Sequence, residues 1–173
     1  MEHSSGLSTP TKVDAPLGTD VNGSKAKIYW PNSYASVIRM MLYLASNTRP
    51  DISFDVHQCA RFTHNTKVSH ETAVKRICRY LQGTKDNGLV FNPSRKLVVD
   101  CYDDADFEGL WVHEDPQDPI CDRSRTGFVV TFSDCLLLWV SKLQTEIAIY
   151  TLHSEYMALS HSVRALLPFE KSY

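Results

Sequence analysis

With 173 residues, 43% of them hydrophobic, 22% charged and 10% aromatic, the chain has the composition of one globular domain or of a domain joined to part of another. Seven Gly, eight Pro and a formal net charge of -2 exclude collagen-like, low-complexity and strongly polyanionic classes. No run approaches the roughly 18 apolar residues that span a bilayer, and Met1 to Gly6 lacks the charged and apolar regions of a signal peptide, so an intracellular, reducing setting with no membrane partner is expected.

Five cysteines, Cys59, Cys78, Cys101, Cys121 and Cys135, form no C-x-x-C or Cys/His zinc spacing, and they read as small buried hydrophobes. The mild net charge conceals a split. Arg61 to Lys85 holds six bases against one acid, a balance of +5, whereas Asp100 to Asp122 holds nine acids and no Lys or Arg. Such asymmetry suits a basic surface meeting an anion and an acidic locus meeting cations, and solvated faces give the same count.

In chain order, residues 1–30 are rich in Ser, Thr, Gly, Lys and Asp and read as a flexible lead-in. Asn32 or Ser33 can cap a helix with Val37, Met40, Met41 and Leu44 at helical spacing, ending near Asn47. A second helix is predicted from Pro50 to His64-Asn65, with Ile52, Val56, Cys59 and Ala60 on one side. Ser69 is the expected cap of a third, whose stripe is Ala73, Val74, Ile77, Cys78 and Leu81 and whose left-handed stop is Gly83. The period then becomes extended: Leu89-Val90-Phe91, Leu97 to Tyr102, Thr126 to Phe132 and Cys135 to Val140 read as strands, the last two joined by Ser133-Asp134. An acidic loop containing Pro116 and Pro119 interrupts them, and a final helix carries Tyr156, Leu159, Ser160, Val163 and Leu166 up to Pro168.

Three constellations suit chemistry. Tyr102 to Gly109 gathers carboxylates where a strand end can present hard oxygen ligands to Mg²⁺, although a solvated acidic turn has the same composition. Its Asp104, Asp106, Glu108, Gly109 and Asp115 also approximate a calcium loop, but an apolar extended run precedes them and Pro116 follows, where that loop needs helices. Glu155 is expected in the first turn of the last helix, as an electrostatic cap or, if that helix packs on the sheet, as a partner for Asp104 on a metal. Lys75, Arg76, Arg79 and Lys85, with Tyr80 interleaved, make either a nucleic-acid face or the solvated side of an amphipathic helix spanning 70–85. No Gly-rich phosphate loop is present, and His57, His64, His70, His113, His153 and His161 are scattered without ligand spacing.

Several segments in fixed order resemble the copia-type retrotransposon Pol polyprotein: Ser33 to Val37, Tyr43 to Ile52, Ala60-Arg61-Phe62 and Lys75 to Thr84. Tyr102 to Gly109 is similar to that family's Y-S-D-A-D-W-A-G, Ser124 to Gly127 to its K-S-T-S-G, Trp139 to Gln144 to its W-S-S-K-K-Q, and Thr151 to Leu159 to its S-T-E-A-E-Y-M-A-L. The resemblance covers about residues 15–168 and implies an α+β arrangement. Residues 31–86 would be a helical segment that follows the reverse transcriptase palm, and 87–173 an incomplete ribonuclease H-like mixed sheet of order β-β-β-α. It further implies two-metal hydrolysis of RNA in an RNA/DNA hybrid with Mg²⁺ or Mn²⁺, Asp104 and Glu155 as catalytic metal ligands, and Asp106 as a further acid. Asp103 stands where the family has Ser, Phe107 where it has Trp, and Leu152-His153 where it has Thr-Glu. The family's two later ligand elements have no counterpart before Tyr173, and the polymerase palm has none upstream. The expectation is therefore weak metal binding, no cleavage by this polypeptide alone and partnership with the remainder of a Pol polyprotein, the alternative being a non-catalytic nucleic-acid-binding remnant.

Overall fold

The computed structural model describes residues 7–11, 17–18, 20, 22–26, 33–107 and 122–170. They fall into two compact units, Met1–Gly88 and Leu89–Tyr173.

The first unit is helical. Helix α1 (Tyr34–Asn47) starts where Ser33, in extended backbone, accepts the Ser36 N–H on its hydroxyl at 3.3 Å, satisfying one of the orphan donors of a helix start. Its stripe Tyr34, Val37, Ile38, Met41 and Ala45 is buried, and it packs against Ile52, Val56, Cys59, Val74 and Ile77 of the following elements. Each large apolar side chain so buried contributes about 1.5–3 kcal/mol. Pro50 opens only a 3-10 turn (Pro50–Ile52), which runs into a short α2 (Ser53–Ala60). The second helix thus ends at Ala60 rather than at His64-Asn65. Past that point Phe62 and Thr63 donate only three residues back, to Cys59 and Ala60, so the turn tightens and stops. Burial pushes the Cys59 thiol up to about 12, in keeping with a small hydrophobe.

Helix α3 (Val68–Gly83) departs from expectation at both ends. Its cap residue is Lys67, whose backbone N–H donates to His70 Nδ1 at 3.0 Å, while the Ser69 hydroxyl donates to Asp20 instead. Gly83 is helical, and no described glycine has a positive φ. The stop is made by side chains. Thr84 N–H and hydroxyl both donate to the Tyr80 carbonyl, and Arg49 Nη1 donates to the Thr84 carbonyl at 3.0 Å.

The second unit is an antiparallel sheet of order β1-β2-β3, built from β1 (Val99–Asp106), β2 (Arg125–Phe132) and β3 (Cys135–Leu143), with α4 (Thr151–Glu170) packed on β1 and β2. This α+β element set is compatible with an incomplete ribonuclease H-like fold. Leu89 to Phe91 is not a strand: three residues between Gly88 and Asn92-Pro93 find no ladder partner, and Val90 and Phe91 stay exposed. The first strand instead begins at Val99 and runs on through Asp106, so the acidic run is held in extended form by pairing with Arg125 to Phe128. The hairpin turn is as predicted. Ser133 and Asp134 have φ of 49° and 66°, the doubly left-handed geometry that matches strand twist. Because a β-branched residue tolerates that region poorly, Asp134→Val should cost about 1–2 kcal/mol, whereas Asp134→Gly should hold or raise stability. Equal unfolding midpoints for the two variants would contradict this account of the turn.

Candidate functional site

Strand side chains alternate between faces, so the register assigns each acid a side. Ser162 on α4 donates to Asp103 Oδ2 at 3.0 Å, which puts Val99, Cys101, Asp103 and Ala105 on the helix-covered face, opposite the buried Val130, Phe128 and Thr126 of β2. Asp100, Tyr102, Asp104 and Asp106 therefore belong to the other face, with Asp104 beside Gly127 and Asp106 beside Arg125. The calcium-loop reading fails on this geometry, because Asp104 and Asp106 are strand residues and not part of a loop between helices. Its remaining members, Glu108, Gly109 and Asp115, lie outside the described residues, as does most of the acidic loop.

Helix α4 begins at Thr151, earlier than the motif suggests, so Glu155 is its fifth residue and the first turn holds no acid. The helix seats a stripe of small residues, Ser154, Ala158 and Ser162, fully buried at four-residue steps. Gln144, just past β3 and 1% exposed, ties the start of that helix down. Its Nε2 donates to Thr126 Oγ1 at 3.1 Å and to the Ser154 carbonyl at 2.9 Å, and its backbone N–H donates to the Ser124 carbonyl at 2.8 Å. Since Thr126 pairs with Ala105, the beginning of α4 stands over the helix-covered face at the Ala105 end of β1, whereas the side chains of Asp104 and Asp106 belong to the opposite face. Asp104, Asp106 and Glu155 are each exposed, but Glu155 lies on α4 and the two aspartates on the face of the sheet away from it, so the three are not brought together.

An all-carboxylate donor set suits Mg²⁺ or Mn²⁺ in chemistry. Among the described residues, however, no group of three His, Cys, Asp or Glu is placed to hold an ion. The residue types match a divalent cation in kind, but the strand register divides them between the two sides of the sheet.

The basic helix is less free than its composition suggests. Lys75 Nζ lies 2.6 Å from Glu71, an i,i+4 pair in which the carboxylate is nearly buried. Arg76 Nη2 donates to Thr9 Oγ1 at 3.3 Å, whereas Arg79 and, beyond the end of α3, Lys85 are exposed.

Two arrangements escaped sequence reasoning. Arg49 lies 7% exposed with Nε and Nη2 on the Asp51 carboxylate at 3.0 and 2.7 Å, Nη2 on Thr84 Oγ1 at 2.6 Å, and its guanidinium 5.5 Å over the Tyr80 ring. Tyr80 donates to Asp51 as well, at 2.7 Å. The Arg49 guanidinium holds the Asp51 carboxyl below its usual range. Both halves of this clamp sit inside quoted motifs, Arg49-Pro50-Asp51 and Tyr80 to Thr84, but a separation of some 30 residues leaves no local signal. The second is His70, completely buried and stacked on Phe62 at 4.0 Å, with its ring nitrogens committed to Lys67 N–H and the Gly18 carbonyl. Residues 22–26 share that anchor: Ala26 N–H donates to Thr66, Val68 N–H to Ser24, and Lys67 Nζ to Gly23.

Comparison with known proteins gives the same family that the motifs indicate. The chain is 32% identical over 174 residues to the retrovirus-related Pol polyprotein from transposon TNT 1-94 of Nicotiana tabacum, an alignment covering 96% of the chain and 12% of that protein. It is 32% identical over 139 residues to the corresponding polyprotein from transposon RE1 of Arabidopsis thaliana, covering 80% of the chain and 9% of the relative. The secreted RxLR effector protein 161 of Plasmopara viticola is 32% identical over 131 residues, covering 76% of the chain and 87% of that protein. No family model and no solved structure matches. The chain belongs to the copia-type retrotransposon Pol polyprotein family, and it spans about a tenth of the length of the polyproteins it matches.

Proposed function

We propose that this chain corresponds to the junction in a copia-type Pol polyprotein where helices following the reverse transcriptase palm lead into a ribonuclease H-like domain. In the whole polyprotein Asp104, Asp106 and Glu155 would then serve metal-dependent hydrolysis of RNA in RNA/DNA hybrids inside the cell. The observation that carries this reading is the antiparallel sheet followed by a helix whose start, just before Glu155, is tied by Gln144 to Thr126 of β2 on the sheet's helix-covered face. Mg²⁺ or Mn²⁺ would supply a polarised water and charge neutralisation. The chain's own part is to hold carboxylates at one sheet end and to keep the strand rigid beneath them. Because the described residues offer no third ligand, the isolated chain is expected to take up metal weakly and to leave hybrids uncut.

The test is a chimera in which residues 87–170 replace the matching segment of the tobacco polyprotein. Hybrid cleavage should be retained, and it should fall by at least about 100-fold with Asp104→Asn or Glu155→Gln. Indifference of the chimera to both substitutions would refute the assignment, and Mg²⁺-dependent cleavage by the isolated chain would refute its inactivity. The alternative, a non-catalytic nucleic-acid-binding remnant, rests on the exposure of Arg79 and Lys85. It requires salt-sensitive hybrid binding that Arg79→Glu abolishes and Asp104→Asn leaves unchanged.

A further inference from the structure

Ser162 ties α4 to Asp103 of β1, and nearer the start of the helix Gln144 ties the Ser154 carbonyl to Thr126 of β2. Gln144 is 1% exposed, and its Nε2 spends both hydrogens across elements, one on Thr126 Oγ1 of β2 and one on the Ser154 carbonyl of α4. Thr126 is itself fully buried and stands opposite Ala105, the residue between Asp104 and Asp106. Ser154 immediately precedes Glu155. The fully buried residues of the helix are Ser154, Ala158 and Ser162, small side chains with little bulk to lock the helix along its axis, larger ones such as Met157 and Leu166 being only half-buried. Directional bonds therefore help set how α4 sits on the sheet, Ser162 to Asp103 farther along and Gln144 at the start, and Gln144 Oε1, left without a partner, adds nothing to stability by itself. A glutamine kept in the core at that cost is better explained by placement than by packing.

We infer that Gln144 is a positioning residue: its amide fixes the start of α4, and with it the backbone of Glu155, against Thr126 on the helix-covered face of the sheet. The inference deepens the assignment made above and rests on it only for the consequence that metal uptake follows. The position itself is measurable without metal.

The experiment uses the full chain and Gln144→Met, which conserves volume and removes both donors. Hydrogen exchange of the α4 amides is followed without metal, and Mn²⁺ uptake by paramagnetic resonance. The thermal midpoint should stay within a few degrees, because the unpartnered oxygen is removed along with the bonds. Exchange of the Glu155 to Leu159 amides should rise about tenfold while Val163 to Leu167 stays unchanged, and Mn²⁺ affinity should fall about tenfold, as for other residues that orient ligands. Unchanged exchange at Glu155 to Leu159, or an equal rise along the whole helix, overturns the inference. If Gln144→Met does not fold, Gln144→Leu removes the same two donors without introducing a charge and is read in the same way. Should the native chain take up no Mn²⁺ while the localised exchange is observed, the positioning role stands and the divalent-ion assignment fails.

Discussion

Lowering the pH from about 7.5 to about 5 is expected to free residues 22–26 from the start of α3 before the helical core opens. His70 accepts the Lys67 N–H at Nδ1, so its single proton must sit on Nε2, where it donates to the Gly18 carbonyl at 2.8 Å. A second proton has no acceptor, because it would have to occupy the nitrogen that already receives a bond. Burial pushes the histidine below its ordinary value of 6.5, with the Gly18 bond and Asp20 opposing that shift and Lys67 assisting it. The sign follows directly. A histidine with a depressed folded pKa is protonated first in the unfolded chain, so the anchor is intact at neutral pH and loses stability as pH falls below 6.5, until the folded form also protonates. A loss of about 1–2 kcal/mol is expected, enough to open a segment held by a handful of backbone bonds. Hydrogen exchange at Ala26 and Val68, whose N–H groups are bonded across this contact, measures it directly. His70→Gln keeps an acceptor at the same capping position and does not titrate, so its exchange should be independent of pH in this range. Identical pH profiles for the two proteins would remove His70 as the cause.

The α1 start and the α3 face were legible as local statements: the Ser33 cap and the Val74, Ile77 face follow from side chains within a few residues of one another. The Ser133-Asp134 turn was legible for the same reason. The expected stripes elsewhere were only partly right, since Met40 and Leu44 of α1 are exposed and α4 leaves Tyr156, Leu159, Ser160 and Val163 exposed, burying Ser154, Ala158 and Ser162 instead. What could not be read was set by distant partners. Asp103 to Asp106 has poor strand propensity, yet it extends β1 because the β2 ladder reaches back to Arg125. Strand pairing in turn divides Asp103 from Asp104 between the two faces, a difference invisible in a run of acids. Gly83 lost its expected left-handed role to Arg49, a residue more than thirty positions away that caps the helix through Thr84. Likewise Glu155 moved out of the first turn because the Tyr150 carbonyl accepts from His153 and Ser154, starting α4 four residues sooner. At the site, residue types and their order were readable, whereas the bonds by which Gln144 ties the start of α4 to Thr126 were not.

Asp51→Ala is expected to cost the helical unit about 2 kcal/mol, more than any other single polar change there. The Arg49 guanidinium is nearly buried and its charge is met by one carboxylate. Removing that partner leaves a desolvated cation with only Thr84 oxygens and the Tyr80 ring. A fully buried pair broken in this way loses about 3–5 kcal/mol. Asp51 is about one-third exposed, so solvent screens part of the interaction and the smaller figure applies. Tyr80→Phe removes one hydrogen bond from the same carboxylate and should cost about 1 kcal/mol. The two changes share a partner, so the double variant should lose less than their total. Acid separates this clamp from the histidine anchor. The Asp51 pKa is lowered, chiefly by the Arg49 bond, so its contribution is present above the ordinary value of 3.8 and disappears only as pH falls through the lower folded value. At about pH 5 the His70 contact should therefore be weakened while the Arg49 clamp still holds, and the penalty of Asp51→Ala in urea unfolding should be the same at pH 7 and pH 5 and shrink near pH 3. A penalty below about 0.5 kcal/mol at neutral pH, or one that vanishes between pH 7 and 5, would show that α3 is stopped by Thr84 alone.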